Sequence, residues 1–206
     1  NRLYTDFSVY NIKSTDLIMA VPISASTGYS SRVSNVGEIE NKGFEMLLGG
    51  TPVERGLFTW ETSLNFSTNE NQLNKLIEGT ENYEFGVTND GDVIVQGTVG
   101  GGFGEIYGTT FQRTEAGELI VDEEGLPKET SERVQLGNYQ PDWTGGWTNN
   151  FTYGNFSLNV LIDGRIGGDV YSGTDSSLDA NGSSKRTLKY REDGVVVDGV
   201  VEVSEG

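Results

Sequence analysis

Alternation of apolar and polar residues at a period of two dominates the chain. Over 57–67, Phe58, Trp60, Thr62, Leu64 and Phe66 share one face, and Thr59, Glu61, Ser63, Asn65 and Ser67 the other. A helical period would scatter those aromatics around the circumference, so the order predicts a strand. The rhythm returns over 142–153, where Trp143, Gly145, Trp147, Phe151 and Tyr153 stand with Asn149 against Thr144, Gly146, Thr148, Asn150 and Thr152. Over 155–167, Phe156, Leu158, Val160, Ile162 and Ile166 oppose Asn155, Ser157, Asn159, Asp163 and Arg165, with Leu161 out of step. Weaker versions predict strands at 3–12 and at 39–48, where Phe44, Met46 and Leu48 oppose Gly43 and Glu45.

The connections between these strands alternate in length. A long one runs from Lys13 to Glu38, and a short turn covers 49–56. A very long connection follows over about 68–141, then a tight hairpin at Tyr153-Gly154-Asn155 and another long excursion after Gly167. Long and short connections in alternation suit a transmembrane β-barrel with large extracellular loops and small periplasmic turns. In an ordinary globular domain, a connection such as 68–141 would argue against the strand assignment. The polar face, rich in Asn, Ser, Thr and Gly, suits a water-filled lumen. Aromatics near the strand ends suit an interfacial girdle, so Trp60, Trp143 and Trp147 read as lipid-interface anchors. A soluble β-sandwich with one wet face stays open as a second architecture.

Composition narrows the chemistry. The 206 residues contain neither Cys nor His, which removes thiolate and imidazole nucleophiles and all His- or Cys-ligated metal sites. The formal charge is −17, which argues against nucleic acid as a partner. Much of that excess lies within 68–140, where 14 carboxylates face four basic residues, whereas outward strand positions carry almost no charge. The most apolar stretch, 17–23, falls far short of the ~20 residues of a spanning helix. Neither end carries a leader or a closing signal, so the chain reads as an internal piece of a larger protein.

A family resemblance becomes visible at Asn35-Val36-Gly37-Glu38-Ile39-Glu40-Asn41-Lys42-Gly43-Phe44-Glu45. It continues through Trp60, 65–71, Ile106-Tyr107-Gly108, 117–122 and Glu124-Gly125-Leu126-Pro127. It is densest at Leu136-Gly137-Asn138-Tyr139-Gln140-Pro141-Asp142-Trp143-Thr144-Gly145-Gly146, and closes through 153–158 and Arg165-Ile166-Gly167-Gly168. In this order the motifs resemble the barrels of SusC/RagA-like, TonB-linked outer-membrane transporters of Bacteroidetes. The resemblance implies an all-β fold. Residues 1–206 would be part of the C-terminal half of a large antiparallel barrel, with the plug domain and TonB box outside the chain. It further implies import of glycan oligomers or peptides, a SusD-like surface lipoprotein, the TonB complex and outer-membrane lipid as partners, and no catalysis. The competing readings are a soluble secreted carbohydrate-binding β-sandwich module and a passive or adhesive outer-membrane barrel.

Alternation places Glu45, Glu61, Asn65, Asn159, Asp163 and Arg165 toward the lumen as candidates for contact with substrate or plug. Asp163 and Arg165 are also placed to pair with each other. Tyr83, Phe85, Phe103, Tyr107 and Phe111 in the long connection are candidates for substrate or lid contact, or for packing that loop. Gly100-Gly101-Gly102-Phe103-Gly104 lacks the strand-to-helix context of a phosphate loop and reads as a flexible segment. No cofactor is expected. A calcium ion among the acidic loops, near Asn89-Asp90-Gly91-Asp92 or Asp179-Ala180-Asn181-Gly182, stays open, although neither stretch has an EF-hand's spacing.

Overall fold

A computed structural model describes residues 2–88, 91–192, 194 and 196–201. In chain order the strands are β1 Leu3–Thr15, β2 Ile18–Pro22, β3 Ser31–Asn35, β4 Glu38–Arg55, β5 Phe58–Lys75, β6 Asn82–Val87 and β7 Val93–Thr98. They continue as β8 Phe103–Gly108, β9 Leu119–Val121, β10 Val134–Asn138, β11 Trp143–Tyr153, β12 Phe156–Ile166 and β13 Gly199–Val201, with one α-helix, α1, at Gly173–Ala180. Among the described residues, no helix is long and apolar enough to cross a membrane.

Contacts divide the chain into two compact units. The first comprises Asn1–Tyr83, Gln96–Glu105 and Asn138–Asp169. Its frame is a five-stranded antiparallel sheet of order β1-β4-β5-β11-β12, which holds all five strands expected from the alternation. Two hairpins close on two-residue turns that open with a glycine at positive φ, Gly56 (+61°) between β4 and β5 and Gly154 (+57°) between β11 and β12. Such turns match the right-handed twist of the strands they join.

Several boundaries differ from the sequence expectation. The stretch 49–55 belongs to β4 and is not a turn. Gly49 lies under Tyr4, and at Gly50 a Cβ would come within 2.2 Å of the Arg2 carbonyl, so both glycines serve close approach to β1. The register shifts between Gly50 and Val53, where Pro52 has no N–H to donate to a ladder. β5 continues past Ser67 to Lys75 because its polar residues pair with β4 from Phe44 back to Glu38. Outside the apolar band a strand needs its ladder but no longer an apolar face. The connection 68–141 is therefore largely built: its strands form a four-stranded sheet of order β10-β8-β7-β6, and β2 pairs with β3 in the earlier one.

The best-buried core also lies in this part of the chain. Leu73 is fully buried with Met19 and Leu76, and Leu17, Val36, Ile39, Tyr83 and Phe103 pack around them. The glycine-rich turn 100–104 is held against β5 and is not a free segment. Leu73 N donates to Gly101 O at 2.9 Å, Gly100 N to Leu73 O at 2.8 Å, and Phe103 N to Asn71 Oδ1 at 2.7 Å.

The second unit comprises Glu84–Val95, Ile106–Gly137 and Val170–Gly206. Here β13 pairs with β9 in parallel, Val200 opposite Ile120, so antiparallel order is not universal. A parallel partner requires a long crossover connection, which the excursion after Gly167 supplies. Ser172 caps α1 by accepting from Asp175 N at 3.2 Å. Asp179, proposed as a calcium-loop residue, sits in the last turn of α1, and Arg186 Nη2 lies 2.8 Å from its Oδ2. Asn89 and Asp90 of the other calcium candidate lie outside the described residues.

Candidate functional site

Cross-strand register converts the alternation into two continuous faces. One carries the rows Phe7-Met46-Phe66, Leu48-Leu64-Trp147-Ile162, Trp60-Phe151-Leu158 and Phe58-Tyr153-Phe156. Their rings touch: Phe7 on Phe44 with centroids 4.7 Å apart, Phe66 on Trp143 at 5.5 Å, and Trp60 stacked on Phe151 at 5.9 Å. The other face carries Ser8-Glu45-Ser67-Thr144-Arg165 and Asp6-Leu47-Asn65-Gly146-Asp163.

All six lumen candidates lie on this polar face, exposed and spread across it. Glu45 and Asn65 line a groove of about 380 Å³ with Asp6, Ser8, Leu47 and Ser67. Glu61 lines a smaller hollow of about 150 Å³ with Tyr4, Ser63 and Asn150. Asn159 donates through Nδ2 to Asn150 Oδ1. Asn65 and Asp163 approach each other over Gly146, where a Cβ would stand 3.1 Å from Asn65 Nδ2 and 3.4 Å from Asp163 Oδ1. Arg165 does not turn to Asp163. Its Nη2 donates to Tyr139 O at 2.8 Å. The face thus offers acceptors and donors to a hydrated solute without gathering them at one point.

Of the aromatic candidates, Tyr83 and Phe103 pack against the Leu73 cluster. Phe85 and Phe111 are exposed, Tyr107 is half-buried, and Phe111 bridges to Glu129. Two residues on the polar face escaped the sequence reading, Tyr4 and Tyr10. The parity of β1, with Leu3, Thr5, Phe7 and Val9 opposite Tyr4, Asp6, Ser8 and Tyr10, carried the signal.

Beyond the apolar band, at the Glu38 end of β4, the charges pair. Lys13 Nζ lies 2.7 Å from Glu38 Oε1, and its hydrogen bond holds that carboxyl below the usual carboxylate range. Hydrogen bonds from Asn11 and then Lys42 do the same for Glu40.

No family model matches the chain. A protein named TonB-dependent receptor P3 from Formosa agariphila is 31% identical over 195 residues, 84% of this chain and 20% of that relative. The TonB-dependent receptor SusC of Bacteroides thetaiotaomicron is 26% identical over 176 residues, 79% of this chain and 17% of its own length. Over most of its length the chain is thus similar to TonB-dependent receptors, SusC among them. A solved structure of the RagAB peptide importer in its closed-closed state has the same fold, with a TM-score of 0.62 at 22% identity over 82% of this chain and 20% of that one. The chain spans about a fifth of the length of these relatives. Its fold matches a segment of a TonB-dependent transporter barrel, an architecture in which an aromatic face suits lipid and a polar face suits the lumen.

Proposed function

We propose that the protein containing this segment imports oligomeric nutrients, glycan oligomers or peptides, across the outer membrane, driven by TonB and performing no catalysis. A SusD-like surface lipoprotein would close over the extracellular loops and hand substrate to the lumen. The observation that carries this reading is the register. It keeps a mainly apolar outer wall and a polar inner wall across five strands, as a solute pathway through lipid requires. Similarity to TonB-dependent receptors and to the RagAB importer supports the energy coupling and the lipoprotein.

The test is uptake by cells carrying the full-length protein, with and without a working TonB complex, using fluorescent oligosaccharides and peptides. Uptake that disappears with TonB, together with co-purification of a surface lipoprotein in detergent, is the expected result. Uptake that persists without TonB would make the protein a passive barrel. A full-length protein that stays monomeric and soluble without detergent would restore the β-sandwich reading.

A further inference from the structure

The Gly100-Gly101-Gly102-Phe103-Gly104 run sits where two neighbouring strands part. The β5–β11 ladder ends at Ser67 and Thr144, while β5 runs on to Lys75. Beyond that fork the turn stands between β5 and the residues that lead into β11. On the β5 side it makes the two backbone bonds to Leu73 described above, and Gln72 Nε2 donates to Gly100 O at 3.0 Å. On the other side Tyr139 N donates to Gly104 O at 3.1 Å. One carbonyl is held from both sides: Phe103 O accepts from Asn71 Nδ2 at 3.3 Å and from Gln140 Nε2 at 3.4 Å.

The turn is also closed on itself. Gly101 N donates to Thr98 O at 2.9 Å, and Gly102 N to Oε1 of the buried Glu105 at 3.1 Å. Two glycines meet a narrow fit. A Cβ at Gly102 would stand 2.9 Å from Asn138 Nδ2 and 3.7 Å from Asn71 Oδ1, and one at Gly104, whose φ is +127°, 2.6 Å from the Tyr139 ring. In the fork, Thr68, Asn69 and Glu70 line a polar notch of about 560 Å³ together with Asn138, Gln140 and Asp142.

We propose that this turn is a fixed wedge in the wall: it ends the β5–β11 ladder at Ser67, keeps the polar notch open, and stays docked while solute passes. Neighbouring strands zip together wherever unpaired N–H and C=O groups face each other. A turn that occupies those groups at Leu73 on one side and at Tyr139 on the other halts the ladder, and Pro141 has no N–H with which to extend it. The inference concerns the wall and not the solute, so it is the same for a glycan or a peptide cargo.

The experiment follows the full-length protein in detergent by amide hydrogen exchange. Wild type should protect 100–104 and 139 well beyond the exposed Glu115 and Ala116. Asn71→Ala, which removes contacts on the β5 side only, should speed exchange about ten-fold both at 100–104 and at 139, with the β11–β12 hairpin unchanged. If that variant does not fold, Gln140→Ala, which loosens the turn from the other side, should give the same joint loss. Wild-type exchange at 100–104 as fast as at 115–116, or a loss at 100–104 that leaves 139 protected, overturns the wedge. Asn71→Cys with Gly102→Cys tests whether it stays docked, since the 206 residues carry no other Cys. The pair should form a disulfide on oxidation, and TonB-dependent uptake of the fluorescent probes should be equal in the oxidised and reduced forms. No disulfide, or uptake lost on oxidation and restored by reductant, overturns the docked wedge. A wild type that takes up no probe removes the transport reading and the docking claim with it, while the ladder-ending wedge is decided by the exchange pattern alone.

Discussion

Trp60 Nε1 donates to Asn149 Oδ1 at 3.1 Å across the β5–β11 pair, and both residues belong to the outer, aromatic wall. Asn149 is 4% exposed, and the same oxygen accepts from the Thr62 hydroxyl at 2.9 Å. Thr62 in turn accepts from Trp147 Nε1 at 2.8 Å. Two indole N–H groups are thereby satisfied inside the wall. Trp147 stands mid-band, opposite Leu64 and Ile162, which corrects its reading as an interface anchor: it needs no headgroup water. Trp143, Tyr153, Phe58 and Phe156 hold the band's two ends.

Replacing Asn149 by Leu should therefore destabilise a residue position that hydropathy alone would call improved. The Trp60 N–H would be left unpaired in apolar surroundings, a loss of about 1–3 kcal/mol. Urea unfolding of the full-length protein in micelles, followed by tryptophan fluorescence, reads the effect. An unchanged midpoint would show that the hydrogen bond contributes nothing.

The two faces can be told apart by one pair of adjacent substitutions. Leu64→Arg puts a cation on the outer wall beside Trp147 and Leu48, at a cost of about 2–4 kcal/mol near the bilayer midplane. Asn65→Arg points the same charge into the groove, beside Glu45 and Asp6. The first should impair assembly in outer-membrane fractions and the second should not. Equal tolerance of both would count against the assigned faces.

The five membrane strands were legible because lipid on one side and water on the other force a strict period of two. Where the chain leaves the bilayer that constraint lapses, and Thr68–Lys75 of β5 and Glu38–Lys42 of β4 pair without an alternating apolar face, Ile39 opposite Leu73 being their one apolar pair. Gly49, Gly50 and Pro52 imitate a turn because local composition does not reveal that Tyr4 and the Arg2 carbonyl press on those glycines. The lumen face of β12 could be read from its alternation. Tyr4 and Tyr10 share the parity of Asp6 and Ser8, but local composition does not reveal that their cross-strand partners are glycines. The parallel β9–β13 pair, three residues long, left no pattern to read.

The buried core under the loops makes a separate prediction. Leu73 is 0% exposed, Phe103 of the 100–104 turn packs against its cluster, and a Cβ at Gly97 would already stand 3.1 Å from its Cδ2. Leu73→Ala should cost about 2–5 kcal/mol, because the cavity cannot collapse against a backbone pinned at Gly100 and Gly101. The loss should appear as faster amide exchange at 97–103, with the β11–β12 hairpin unchanged. Uniform acceleration over the whole sheet would contradict a local core.

Gly49 and Tyr4 allow a coupling test. The three atoms nearest a Cβ at position 49 all belong to the Tyr4 side chain, the closest at 2.3 Å, so Gly49→Ala must push that side chain off the sheet. A side chain yields more readily than backbone, and the expected loss is about 1–3 kcal/mol. In a Tyr4→Ser background the obstacle is gone, and the same Gly49→Ala change should be nearly neutral. Gly43 is the control: a Cβ there also meets the Thr68 carbonyl at 2.6 Å, so Tyr10→Ser should rescue Gly43→Ala only in part. Unfolding midpoints of the single and double variants give the coupling energy directly. Additive effects at Gly49 and Tyr4 would mean that the ring does not lie on the glycine. A larger coupling at Gly49 and Tyr4 than at Gly43 and Tyr10 would show that the Tyr4 side chain alone occupies the space over Gly49.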